Sequence, residues 1–348
     1  MRVGFMTAFN KPTKLAKITS LICKAYDIEI IYLRPKDIMM EENKVRGQVY
    51  INNSWQEKIV DIPPFIDVVP YNFKKGNREI MDYLKNRTFL SDDRSNVLSK
   101  IKLQNILKKE QEFSHLIIPT HKVRKFEDII HYLNEYSSIV LKPLRGIQGR
   151  GVYILNKSGD HYTVGFKTIE REMNKNQIAT FFEDEIKGKN YILQKYVQSR
   201  TLSGDPFDCR IHVEKGGDGK WHSARNYIRI GIGQKVISNV NQGGGISDPK
   251  PFLKANFGEE NWAKINKKLN NLAVTLPYKI EELRGTHIMT LGMDIGIDKD
   301  GELYLFEVND GPATAALISE VAYLRSNYYN YILNELGETP TKEKLYDK

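Results

Sequence analysis

Cysteine is nearly absent: Cys23 and Cys209 are the two in 348 residues, and neither has a Cys or His neighbour at metal-ligand spacing. A disulfide framework and a structural zinc site are therefore not expected, and a reducing cytoplasm is the natural compartment. No run approaches the roughly 18 to 20 consecutive apolar residues of a membrane span, so no membrane association is expected. The opening Met-Arg-Val-Gly-Phe-Met-Thr lacks the apolar length and cleavage site of a secretory signal and reads as a first strand. Internal repeats and low-complexity tracts are missing. So are G-x-S-x-G, H-x-x-x-H and C-x-x-C, which removes the usual serine-hydrolase and transition-metal readings.

Hydrophobic residues make up 41% of the chain and charged residues 27%, a composition that supports a packed core and excludes wholesale disorder. At about 150 residues per domain the length suggests two domains. Lys and Arg number 52 against 43 Asp and Glu, a net charge of +9 that favours anionic partners. The basic residues are spread out and not interleaved with aromatics, so a phosphate-bearing small substrate accounts for the charge and nucleic acid is a minor alternative.

Val3–Met6 reads as a strand and Lys14–Ala25 as a helix, with Leu15, Ile18, Leu21 and Ile22 at helical spacing. Strands are expected at Ile28–Leu33, Gln48–Ile51, around Trp55 and at Phe65–Val69, the start of a small α/β layer domain. Gly76 to Lys109 is charged and mostly helical in pattern, and a domain boundary is placed near Asp93. Beyond it, strands are expected at Leu116–Ile118, Ser138–Leu141, Gly151–Leu155, Tyr162–Phe166 and Tyr191–Val197, and helices at Phe126–Tyr136 and Ile169–Glu185. Antiparallel strands fill Arg210–Ile232, followed by a helix at Glu260–Leu272, a hairpin over Leu291–Val308, a helix from Ala316 to Leu336 and a charged, frayed tail at Glu338–Lys348.

The hairpin is the most informative stretch. Asp300-Gly301 between two alternating apolar runs predicts a two-residue loop, and that register sets Asp294 opposite Glu307. Leu291, Met293, Ile295 and Ile297 then share an apolar face with Tyr304, Phe306 and Val308, while Asp294, Glu307 and Asn309 occupy the other. Opposed carboxylates repel, so a cation is expected between them. Two carboxylates and an amide oxygen suit Mg²⁺; the plain alternative is a polar face paired with Lys or Arg.

Lys142-Pro143 closes one strand before Gly146, Gly149 and Gly151, with a second strand following. A G-x-x-G-x-G connection between strands matches neither nucleotide-binding fingerprint that requires a following helix. It reads as a flap whose amides can approach phosphates, with the Lys142 ammonium nearby, or as an ordinary long hairpin. Asp208 and Arg210 share a strand face; Arg225 and Arg229 follow, then Asn239, Asn241 and the glycines Gly243 to Gly245. Each alone is more often a surface residue, and His212 and His222 read as structural or exposed.

Taken in order, strand-Lys-Pro, the glycine flap, Ile192-Leu-Gln194-Lys195-Tyr196-Val197, Phe-Asp-x-Arg, Asn-x-Asn-x-Gly-Gly and G-x-D…E-x-N resemble the ATP-grasp superfamily. The nearest likeness is to the YheC/YheD, endospore coat-associated type, supported by Val45-Arg-Gly47-Gln, Trp55, Pro63-Pro64 and Leu291–Asp298. The resemblance covers about Val3 to Leu336. It implies an α/β (α+β) chain with a small N-terminal domain over 1–93, a two-lobed ATP-grasp domain over 94–337 (lobes about 94–196 and 197–337) and a tail over 338–348. It implies that Lys100 (Lys102 second) and Lys142 contact nucleotide. Gly146, Gly149 and Gly151 would form the phosphate flap, and Gln194, Lys195, Tyr196 and Val197 the hinge that meets adenine. By the same likeness Arg210 and Arg225 contact the γ-phosphate or acyl phosphate, and Asp294, Glu307 and Asn309 hold Mg²⁺, with Mn²⁺ as an alternative. Lys195 stands where many relatives carry Glu, Asp205 is a weak candidate for the ribose, and Asp310-Gly-Pro replaces the usual short path to Pro-Gly.

The activity so implied is ADP-forming amide-bond synthesis through an acyl phosphate, joining a small-molecule, sugar-acid or peptide carboxylate to an amine. Two other readings stand beside it: a non-catalytic coat or scaffold protein on the same fold, spore-associated, and a kinase using the same ATP site. No residue pattern names the acid, the amine or the oligomeric state.

Overall fold

The computed structural model describes residues 1–144, 151–233 and 244–338. Three sheets follow one another along the chain. The first begins with β1 (Arg2–Met6), α1 (Lys14–Cys23), β2 (Glu29–Leu33), β3 (Ile38–Met39), β4 (Lys44–Ile51), β5 (Ser54–Asp61) and β6 (Phe65–Val68). Then come α2 (Arg78–Lys85) and β7 (Phe89–Leu90). The strand order is β3-β4-β2-β1-β6-β7, with β5 paired to β4. The strands β1, β2, β6 and β7 run parallel, as a βαβ crossover requires. Thr13 caps α1 by accepting from Ala16 N–H, and the apolar side of that helix packs on α7 (Ile318–Glu338). The stretch between α2 and α3 (Lys100–Leu107) is extended and turn-rich, not helical as its charge pattern suggested.

The second sheet contains β8 (Thr120–Lys122), β9 (Ser138–Pro143), β10 (Tyr153–Ser158), β11 (His161–Phe166), β12 (Ile169–Met173) and β13 (Tyr191–Lys195), in the order β12-β11-β10-β9-β13-β8. The helix α4 (Phe126–Tyr136) buries Ile129 and Leu133 against it. Two expectations are corrected. Leu116 ends a 3-10 turn, Ser114–Leu116, and the strand lies after Pro119. Ile169–Met173 is an edge strand, and the helix starts only at Lys175 as α5 (Lys175–Phe181), where Asn174 and Gln177 form a capping box.

The third sheet is antiparallel: β14 (Phe207–Lys215), β15 (Trp221–Ile230), β16 (Gly245–Ser247), β17 (Thr290–Ile297) and β18 (Leu303–Asn309), ordered β16-β15-β14-β17-β18. The long α6 (Pro249–Arg284) covers one face, starting with Pro at its first turn and bending at Gly258, whose φ is 80°. Its Leu253, Ile265, Leu269, Leu276 and Ile280 share a core with Ile211, Met293 and Ile295. Among the described residues, no helix is long and apolar enough to cross a membrane. The expected tail beyond Glu338, with Gly146, Gly149, Asn239, Asn241 and Gly243, lies outside the described residues.

Candidate functional site

Strand alternation makes the site. With Cys209, Ile211, Val213, Ile228, Leu291, Met293 and Ile295 turned into the α6 core, the intervening residues turn to the opposite face of the sheet. These are Asp208, Arg210 and His212 on β14, Arg225, Tyr227 and Arg229 on β15, and Asp294 on β17.

Asp294 pairs with Glu307 and Gly292 with Asn309, as the sequence predicts. The loop is one residue longer than expected: Asp298 N–H donates to Glu302 O at 3.1 Å, and Gly301 sits at φ 78°. A β-bulge between Asp294 and Ile295 absorbs the extra residue and restores the pairing. Between loop and bulge the parity is reversed. Leu303 and Leu305 therefore enter the core, while Tyr304 and Phe306 turn outward, correcting the expected apolar face. Gly296 lies under Phe306, since a Cβ there would overlap the ring.

The opposed carboxylates are each held by their own cations. Arg210, in register with Asp294, forms a fork with it, its Nη2 donating to Oδ2 at 3.0 Å and its Nε to Oδ1. Arg229 adds a bond to Asp294 Oδ2 at 2.9 Å and a second fork to Asp208. Burial alone would lower the Arg229 guanidinium pKa, but Asp208 and Asp294 raise it, so it stays charged. Lys100 Nζ reaches Glu307 Oε1 at 2.6 Å. Of the two sources of positive charge that the sequence allows between Asp294 and Glu307, the structure shows Lys and Arg side chains: Arg210 and Arg229 on Asp294, and Lys100 on Glu307.

Lys142, half-buried on β9, has its ammonium pushed down to about 8, first by burial and then by Lys100, while Glu307 and Asp294 pull it up. Two lysines, two arginines and two carboxylates thus interact across the second and third sheets. Arg225 stands apart, bonding Asp248 at 2.8 Å and the Ala316 carbonyl at 3.3 Å, with Glu320 at 4.0 Å. Arg229, not Arg225, is the β15 arginine that bonds Asp294. The two arginines are four apart on one strand face, so alternation could name the pair but not choose within it.

Of the expected glycine flap, Gly151 is described, with φ 73° and Tyr191 Oη 2.7 Å from where a Cβ would sit, so a side chain there would be strained and would push Tyr191 aside. At the expected hinge, Gln194 is buried and donates to Thr120 Oγ1 at 2.6 Å. Lys195 N–H bonds Pro119 O and Tyr196 N–H bonds Ser138 O, each at 3.1 Å, which fixes the end of β13. The Val197 carbonyl accepts from Ser199 N–H at 2.8 Å. Asp205 accepts from Gly233 N–H. His212 is fully buried on Glu214 and His222 pairs with Asp218 at the surface, both structural roles.

Among the described residues no group of three or more His, Cys, Asp or Glu could hold a metal ion. The expected set has an amide as its third member, and the donor chemistry is the test: Asp294, Glu307 and Asn309 lie on adjacent strands of one face and offer hard oxygens only. That set fits a Mg²⁺-type cation, with Asp294 shared with its arginines.

Residues 93–334 match the family model for YheC/D-like ATP-grasp proteins. The chain is 24% identical over 327 residues to the endospore coat-associated protein YheD of Bacillus subtilis (strain 168), covering 89% of this chain and 71% of that protein. It is also 24% identical over 306 residues to YheC of the same organism, covering 84% and 83%. Among solved structures it resembles a Chryseobacterium gregarium RiPP-associated ATP-grasp ligase in complex with ADP and a leader and core peptide. The TM-score is 0.53 at 11% identity, over 96% of each chain, a likeness of fold. Together with the arrangement of its three sheets, the match over residues 93–334 establishes that this chain belongs to the YheC/D-like ATP-grasp family.

Proposed function

We propose that the chain is an ADP-forming, ATP-dependent carboxylate–amine ligase. The observation that carries this reading is the single polar sheet face on which Asp294, Glu307 and Asn309 stand in register with Arg210, with Lys100, Lys142 and Arg229 interacting with it. Lys142 and Lys100 would bind the nucleotide phosphates; Gly146, Gly149 and Gly151 would cover them; and Gln194 to Val197 would line the adenine. Asp294, Glu307 and Asn309 would hold Mg²⁺, which supplies neutralisation of phosphate charge. In this reading residues 1–93 form a preceding domain and residues 94–337 the catalytic one.

A substrate carboxylate oxygen attacks the γ-phosphorus, the bond to the β-phosphate oxygen breaks, and ADP leaves with an acyl phosphate formed. An amine then attacks the acyl carbon, expels inorganic phosphate and loses its proton to leave an amide. Arg210 and Arg229 would take charge from the moving phosphoryl group, positioning being most of what such chemistry needs. Charge +9 and the leader and core peptide bound by the structural relative support an anionic or peptide acid as substrate. The protein would work in the cytoplasm, with spore association suggested by the names of YheC and YheD.

One observation favours a second reading, a non-catalytic coat protein: Asp294 is already paired with two guanidinium groups, Arg210 and Arg229. ADP release from Mg-ATP in the presence of pooled carboxylates and amines separates the two. Release that depends on both pools supports the ligase; no release together with no Mg-ATP binding overturns it.

A further inference from the structure

Arg94 has φ 59°, a left-handed backbone conformation that L side chains adopt at a cost. Glycine or asparagine suits that backbone better; what arginine adds is its guanidinium. Arg94 N–H donates to Asp92 Oδ1 at 2.8 Å, and its Nη1 reaches Asp92 Oδ2 at 3.1 Å and also Asp310 Oδ2. Arg284, whose side chain is 1% exposed, holds Asp92 in a fork of 2.7 and 3.2 Å and stands 3.6 Å from Asp310. Two arginines and two aspartates therefore close a neutral cluster among themselves.

The cluster joins two segments that carry site residues. Arg94 lies in the stretch leading to Ser99, which caps α3 and so sets the direction of Lys100. Asp310 follows Asn309 directly, at the departure from the family pattern. The same two segments are tied a second time by the Lys100–Glu307 pair.

We propose that Arg94 is a positioning residue for the nucleotide site, clamping the turn after Asn309 to the stretch before Lys100 so that Lys100 and Glu307 stay opposed. This rests on the nucleotide-binding reading above. A salt cluster serving stability alone would not need its arginine in a left-handed conformation, and would not select the one turn that follows the proposed metal-binding strand.

The test is calorimetric titration of Mg-ATP into the full chain, with melting temperatures measured in parallel. Arg94→Gly removes the guanidinium and suits the left-handed backbone, so the melting temperature should stay within about 3 °C of wild type. The Mg-ATP Kd should rise about tenfold, the size of coupling within one ion-pair network. Asp310→Asn should give the same loss, the double variant no more than either single one, and Arg94→Lys should recover part of the affinity. Wild-type affinity in Arg94→Gly, or losses that simply follow melting temperature, would overturn the proposal. A wild-type chain that binds no Mg-ATP would instead defeat the nucleotide reading, and the role of Arg94 with it.

Discussion

Arg229 donates two hydrogen bonds of 2.7 Å to Asp208, and its Nη2 lies 2.9 Å from Asp294 Oδ2. Asp294 is thus a carboxylate shared between neighbouring strands, with Arg210 on one side and Arg229 on the next. Such an arrangement keeps two guanidinium groups aimed at one point of the sheet face, preorganised for an anion.

Arg229→Ala should therefore lower ADP release by about 10²–10³-fold, the usual effect of deleting a charge-stabilising donor. Arg225→Ala, which breaks half-exposed contacts to Asp248 and Glu320, should cost less than about fivefold. The two rates, measured side by side, choose between the two arginines.

Lys142 makes binding depend on pH. Its protonated form is the one that attracts phosphate, so Mg-ATP affinity should fall as pH rises through about 8. Stability should move the opposite way. An unfolded lysine titrates at 10.5, so between about 8 and 10.5 the unfolded chain holds more protons and folding gains stability with rising pH. Calorimetry on both sides of pH 8 checks the first trend, and Lys142→Met should abolish it.

Arg325 on α7 is the buried joint between the first and third sheets, bonding Asp67 at 3.0 Å and Glu214 at 3.0 and 3.1 Å. Its side chain is 6% exposed, and those of Asp67 and Glu214 are 5% and 0%. Replacing it with Met would leave two buried carboxylates without their arginine, so Arg325→Met should destabilise the chain by about 3–5 kcal/mol. Urea unfolding measures this; a change below about 1 kcal/mol would contradict it.

Gly296→Ala should displace Phe306, whose ring occupies the space of the new Cβ and whose backbone leads directly into Glu307. Overpacking of this kind costs about 1–3 kcal/mol. A weaker Mg-ATP affinity should accompany it, because the strand bearing Glu307 must shift. An unchanged unfolding midpoint would show that the ring moves freely aside.

Much of this was legible from residue order, and the departures have local causes. Phe126–Tyr136 is a helix with the expected bounds because its apolar period is unbroken. Asp294 faces Glu307 as predicted, but two deviations cancel to produce it, a longer loop and a compensating bulge, and neither has a composition signal. Ile169-Glu-Arg-Glu-Met173 reads as helix because an exposed edge strand has no buried face to impose alternation. The helix expected at Glu260–Leu272 extends as α6 from Pro249 to Arg284, with Pro249 opening its first turn and Pro277 held within it. That Lys or Arg could meet these carboxylates was legible, but which ones was not, because Lys100, Arg210 and Arg229 come from separate segments.

The most direct measurement is titration of Mg-ATP and of metal-free ATP into the wild-type chain and into Glu307→Gln. Saturable binding of one nucleotide per chain is expected, dependent on the divalent ion and weakened about tenfold or more by the substitution, the scale of a charge-assisted contact. Absent binding, or binding indifferent both to magnesium and to Glu307, would contradict a nucleotide site on this sheet face.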